Sequence, residues 1–179
     1  MSDTRHTFTI CLHGPESTGK SSLAKQLGTH FGAEVVPEYG RIWCEQFGTN
    51  LSMADLVTIG QTHDSMTWEA LGRSDRYLVV DTDPLMTAVW ADMIFGKRDP
   101  WFAGWHATAD YYLLLDIDLP WVDDGTRLFG ADVARKRFFD LSRAELERRG
   151  VRYDVIGGKG PARFANALAA IEAAERERP

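Results

Sequence analysis

Cysteine is nearly missing from this chain: Cys11 and Cys44 are the only two in 179 residues. One lies in an apolar run and the other in a helix-like segment, so neither a disulfide framework nor a zinc pattern is present, and both read as small buried apolar residues. Long apolar runs are missing too. None approaches the ~20 residues needed to cross a bilayer, and the polar start, Met1 to His6, leads straight into a strand-like run. No secretory leader is therefore expected, and the expected location is cytoplasmic. An excess of basic charge is likewise lacking. The net charge of −6 disfavours nonspecific binding to nucleic acid or anionic membrane, and neither is an expected partner. His6, His13, His30, His63 and His106 form no ligand spacing, so no histidine is expected to hold a metal. Internal repeats and low-complexity segments are absent. With 44% apolar residues the chain can bury one sizeable core, and one domain over residues 1–179 is expected.

What the chain does have is Gly14-Pro15-Glu16-Ser17-Thr18-Gly19-Lys20-Ser21, with Ser22 next. The pattern G-x-x-x-x-G-K-[ST] follows the apolar run Phe8 to Leu12 and opens onto a helix-like stretch, the strand–loop–helix context that a phosphate loop requires. Loop and helix N–H groups converge on one concavity, where the positive helix end favours a bound phosphate. Lys20 is positioned to reach the outer phosphates, and the Ser21 hydroxyl to hold Mg²⁺. A plain glycine turn would explain neither the lysine nor the hydroxyl after it.

Strand-like and helix-like segments alternate along the rest of the chain. Strands are expected at Phe8 to Leu12, Ala33 to Val36, Tyr77 to Val80, Tyr111 to Leu115 and Tyr153 to Ile156. Helices are expected after Lys20, at Ile42 to Phe47, Met53 to Leu71 behind a Ser52 cap, Leu85 to Phe95, Val133 to Arg149, and from Pro161 to near Glu172. Pro37 to Arg41 reads as a turn, Gly96 to Gly104 as a loop and Glu175 to Pro179 as a frayed tail. The fold class is α/β, with a parallel sheet of about five strands and right-handed crossovers.

Three further groups bear on the chemistry. Asp81 and Asp83 end a buried strand, where a Mg²⁺-holding carboxylate sits in such folds. Asp81 directly closes the apolar run and is preferred, while Asp83 before Pro84 also suits a helix cap. Glu38, with Tyr39 and Arg41, lies at the ligand-binding edge of the second strand, placed to accept a proton from an acceptor hydroxyl. The alternative is a solvated turn glutamate paired with Arg41. Arg127, in a glycine-containing segment after Trp121, suits a lid over approximately residues 119–137 that brings positive charge to transferring phosphates and excludes water. Arg135 to Arg137 otherwise read as a solvated helix face paired with Glu145 and Glu147. Of six tryptophans, Trp43, Trp68 and Trp90 fit core packing, while Trp101 and Trp121 lie in loops where they could stack on a base.

Taken together, the phosphate loop, Pro37-Glu38-Tyr39-Gly40-Arg41, Asp81-Thr82-Asp83 and Pro120-Trp121-Val122-Asp123-Asp124-Gly125-Thr126-Arg127 resemble the ribosylnicotinamide kinase domain of NadR-type NAD-biosynthesis proteins. The resemblance implies a nucleoside-kinase-like P-loop NTPase fold of three layers and transfer of the ATP γ-phosphate to the 5′-hydroxyl of nicotinamide riboside. ATP and Mg²⁺ are the implied cofactors and nicotinamide riboside the implied small-molecule partner. It implies nucleotide binding by Gly14 to Ser22, and adenine near Gly157 to Pro161 and Arg163. Catalytic or substrate roles are implied for Lys20, Glu38, Asp81, Asp83, Trp121 and Arg127. Full NadR proteins carry further domains before the kinase, so a free-standing kinase is expected. A kinase of another nucleoside or small metabolite, or an ATP-sensing module without catalysis, remains compatible with the same residues, and nothing fixes the oligomeric state.

Overall fold

A computed structural model describes residues 6–178. Five strands form one sheet: β1 (Phe8–His13), β2 (Glu34–Val36), β3 (Tyr77–Asp81), β4 (Tyr111–Leu115) and β5 (Tyr153–Ile156). Their order is β2-β3-β1-β4-β5 and every pairing is parallel. The chain steps one way from β1 and then the other, so a crevice opens at the C-terminal ends of β1, β3 and β4.

Side chains alternate across the strands and divide the core into two layers. Phe8, Ile10 and Leu12 face α1 (Lys20–Phe31) and α7 (Pro161–Arg176), meeting Leu23, Leu27 and Ile171. Cys11, with Leu78, Val80, Tyr112 and Leu114, faces the opposite layer. That layer holds α3 (Met53–Leu71), α4 (Pro84–Phe95) and α6 (Asp132–Arg149), with the short α2 (Tyr39–Phe47) and α5 (Pro100–Gly104) at its edge. Each fully buried large apolar side chain contributes about 1.5–3 kcal/mol, so this double-faced burial is what makes β1, β3 and β4 rigid enough to aim the loops at their ends.

Helix boundaries follow local chemistry. Ser52 accepts from the Asp55 amide and Asp55 returns a bond to the Ser52 amide, the reciprocal box that starts α3. Gly32 ends α1 in the left-handed region at φ 60°. Five expectations change. Tyr39 to Arg41 are not a turn but the first turn of α2, with Glu38 at its cap position. Pro100 to Gly104 are helical because Asp99 caps the Trp101 amide and Pro100 presets the first turn. α7 continues to Arg176, and Glu175, expected to fray, accepts from the Tyr77 hydroxyl at 2.7 Å and from Arg76 at 3.0 Å. Trp68 is 59% exposed rather than in the core, whereas Trp101 packs in it instead of standing free in a loop.

Charge also fixes the helical layer. Glu145 of α6 is buried and its carboxylate accepts from Arg98 at 2.6 Å, Arg148 at 2.7 Å and Arg149 at 3.0 Å. These arginines hold its carboxyl below the usual range against the cost of burial. Arg149 also donates to the carbonyl oxygens of Phe102 and Trp105, tying α5 to α6. Removing the carboxylate leaves the buried Arg149 guanidinium without its acidic partner, while Arg98 keeps Asp92 and Arg148 is half exposed, so Glu145→Ala is expected to cost about 3 kcal/mol in urea unfolding.

Candidate active site

The crevice holds a cavity of about 370 Å³. One side is the phosphate loop, Gly14 and Glu16 through Ser22; the other is formed by Glu38, Gly40, Arg41 and Cys44 and by the faces of α3 and α4, with Thr126 and Arg127 above. The loop is shaped for this approach. Gly14 has φ 127°, and a Cβ there would come within 2.9 Å of the Leu115 carbonyl oxygen. No other residue fits that close crossing of backbone. Ser17 takes φ 59° without being glycine.

Lys20 is buried, and its ammonium donates to the carbonyl oxygens of Gly14 at 2.9 Å and Pro15 at 2.7 Å. Asp81 at the end of β3 is buried with Oδ1 lacking a partner among the described residues. Desolvation raises its carboxyl, while Lys20 and a hydrogen bond from Ser21 oppose that rise. Glu38 is pushed up to about 7, first by desolvation and also by Asp81, against the pull of Lys20. As a residue it is half-buried, and it lines the cavity. Both carboxyls therefore lie in the field of one buried ammonium.

Thr82 separates the two aspartates. It sits at φ 67°, unfavourable for a β-branched residue, and its amide donates to the Leu12 carbonyl. The turn sends Asp81 toward the phosphate loop and Asp83 away from it. Asp83, expected to bind substrate, does not line the cavity: Oδ1 caps the Leu85 amide at 2.9 Å, Oδ2 accepts from the Tyr112 hydroxyl at 2.5 Å, and the residue borders a separate cleft. Desolvation pushes its carboxyl up to about 6.

Other expected site residues are also displaced. Tyr39 packs on the α3–α4 cluster beside Trp43 and does not line the cavity. Trp121 lies against Gly130, whose added Cβ would be 3.0 Å from the indole, outside the cavity lining. Arg163 is buried behind the loop, donating to the Thr18 carbonyl at 2.8 Å and the Gly158 carbonyl at 2.7 Å and pairing with Asp118. It braces the loop rather than lining the cavity.

The segment expected to act as a lid is docked on the phosphate loop. Ser17 Oγ accepts from the Val122 amide at 2.9 Å and Arg127 Nη1 at 3.0 Å, and the Glu16 carboxylate accepts from the Phe129 amide at 3.0 Å. Asp124 pairs with Arg41 at 2.9 Å and Arg127 at 3.1 Å, so Arg41 bonds the lid and not Glu38. Arg135 is buried and donates to the Leu119 carbonyl, which excludes the solvated-face alternative for it, while Lys136 pairs with Asp140 in solvent. Neither pairs with Glu145 or Glu147.

His63 and Trp90, both in the cavity wall, were not singled out for the site from sequence. Leu56, Ile59 and His63 do form a visible stripe, but a stripe facing a cavity has the same periodicity as one facing a core.

With this geometry in place, comparison with known proteins assigns the family. The AAA domain family matches residues 9–163. The chain belongs to the AAA domain family. This AAA domain is 29% identical over 154 residues, 81% of the chain, to the "Trifunctional NAD biosynthesis/regulator protein NadR" of Escherichia coli (strain K12). It covers 37% of that protein, so the chain spans little more than a third of the length of this curated relative. Among solved structures, a NadR protein in complex with NR superposes with a TM-score of 0.84 at 21% identity, covering 97% of this chain and 53% of that one. A NadR protein in complex with NAD and AMP-PNP gives 0.79 at 19% identity, covering 97% and 51%. At these identities the structures establish the three-layer P-loop fold.

The raised carboxyls of this AAA domain set a pH dependence. Glu38 goes from an ordinary 4.5 to about 7, so the folded state favours its protonated form. Its stabilising contribution is complete below about 4.5 and is lost as pH rises through about 7. Asp83 acts in the same direction. In nucleotide-free protein, Glu38→Gln is therefore expected to flatten the decline of unfolding free energy between about pH 4.5 and 7, as measured by urea titrations across that range.

Proposed function

We propose that this chain is an ATP-dependent kinase that phosphorylates the 5′-hydroxyl of nicotinamide riboside, giving nicotinamide mononucleotide and ADP. The observation that carries the reading is that one cavity is lined both by a complete phosphate loop and by a carboxyl raised to about 7. Donor and acceptor machinery face the same space. The likeness to NadR proteins, one described in complex with NR and another with AMP-PNP, supports the choice of acceptor and donor.

The mechanism follows from the residues. Amides of Gly14 to Ser22 and the Lys20 ammonium bind the triphosphate, and Arg127, held beside Ser17, adds charge at the outer phosphate. The acceptor oxygen forms its bond to the γ-phosphorus as the bond to the β-phosphate oxygen breaks. Its proton passes to Glu38, whose value near 7 suits a base at neutral pH. The Ser21 hydroxyl beside the partnerless Asp81 Oδ1 is a donor set suited to hard cations, and these two residues would hold Mg²⁺. When bound, Mg²⁺ neutralises phosphate charge. The docked lid excludes water, which would otherwise compete with the acceptor.

The test is ADP release by the purified chain with ATP and Mg²⁺ against a panel of nucleosides that includes nicotinamide riboside. Stimulation by other nucleosides alone would reassign the acceptor, and tight ATP binding with no stimulation by any would favour an ATP-sensing module. Glu38→Ala is expected to lower turnover by roughly 10²-fold or more with the KM for ATP nearly unchanged. Lys20→Ala is expected to remove phosphoryl transfer almost completely.

A further inference from the structure

The part of the cavity away from the phosphate loop is built by one face of α3, carrying Leu56, Ile59 and His63, and one face of α4, carrying Met86, Thr87 and Trp90. His63 is 1% exposed, and its Nε2 is buried without a hydrogen-bond partner among the described residues. An unpaired buried polar atom is costly, and a native fold that keeps one beside a cavity has a partner missing. Burial alone pushes the ring down to about 4, so it is neutral at working pH. The cations that line the cavity are Lys20, Lys25, Arg41 and Arg127. All belong to α1, the start of α2 or the lid, and none to the α3–α4 wall.

We propose that His63 is a specificity-determining residue, which hydrogen-bonds an uncharged amide-type substituent on the acceptor's ring, and that the α3–α4 wall selects against a carboxylate at the same position. The inference rests on the nicotinamide riboside reading and extends it. A neutral imidazole offers one donor and one acceptor, and a primary carboxamide can answer either tautomer. A carboxylate only accepts. It would also bring a second negative charge into a space already holding Glu38, against a wall with no cation to meet it. Met86, Leu56, Ile59 and the indole face of Trp90 supply the apolar surface for the ring itself, and such surface cannot tell an amide from a hydrogen atom. Thr87 and the Trp90 N–H are further polar groups of this wall, but His63 is the one buried there with a ring nitrogen left unpartnered among the described residues.

The experiment measures kcat/KM at saturating ATP for three ribosides that differ only in the ring substituent: nicotinamide riboside, nicotinic acid riboside and unsubstituted pyridinium riboside. Wild type is expected to favour the carboxamide over the unsubstituted ring by about tenfold or more, and the acid is expected to be the poorest acceptor. His63→Leu should erase the preference for the carboxamide over the unsubstituted ring, His63→Gln should restore most of it, and the KM for ATP should stay constant across the series. A merely structural histidine would change all three acceptors alike. If His63→Leu fails to fold, His63→Phe gives the same comparison. A carboxamide preference that survives either apolar replacement overturns the inference, as does wild type that phosphorylates nicotinamide riboside without such a preference. Wild type that phosphorylates none of the three while acting on another nucleoside overturns the substrate reading and this inference with it.

Discussion

One buried ammonium governs the charge balance of the site. Lys20 Nζ is held by two carbonyl oxygens of its own loop, and its field reaches Glu38, Asp81 and Glu16, whose carboxyls it pulls down, and His13, whose ring it pushes down further after burial has already done so. Without that charge, two desolvated carboxyls, Glu38 in the cavity wall and Asp81 buried at the end of β3, would repel each other unrelieved. With it they can divide their roles: Asp81 lies deep beside Ser21, and Glu38 lies at the acceptor side with a proton affinity near neutrality. His13, fully buried with both ring nitrogens unpartnered among the described residues, is kept neutral beside this charge, down to about 3.

The phosphate loop has a second task. Glu16 and Ser17, at variable positions of the motif, bind the lid, and Asp124 joins Arg41 on the acceptor side to Arg127 on the donor side. One carboxylate thus links the start of α2 to the 119–137 segment. Such contacts are part-buried or exposed and individually weak. That suits a segment that must open for substrate and close for transfer.

The fold was legible because its signals are local and agree with one another. The buried runs of β1, β3 and β4, the Ser52 cap, Gly32 after α1 and the Lys20 motif all say the same thing at short range. Glu38, Asp81 and Arg127 could be named because strand ends in a parallel sheet share one edge. What sequence did not supply was direction. Asp81 and Asp83 look equivalent on paper, and only the left-handed turn at Thr82 decides which faces the phosphate loop. Arg163 reads as a base contact until its bonds to Thr18 and Asp118 are seen, and His63 reads as core until the cavity beside it is seen. Long-range packing sets these outcomes, and periodicity carries no trace of it.

The proposed transfer, with donor and acceptor in one water-excluding cavity, yields a specific covalent product. Phosphorus NMR of the chain with ATP, Mg²⁺ and nicotinamide riboside should show one new phosphomonoester coupled to the ribose 5′ protons, appearing in step with ADP and with little inorganic phosphate. Inorganic phosphate accumulating in place of that ester would contradict the account.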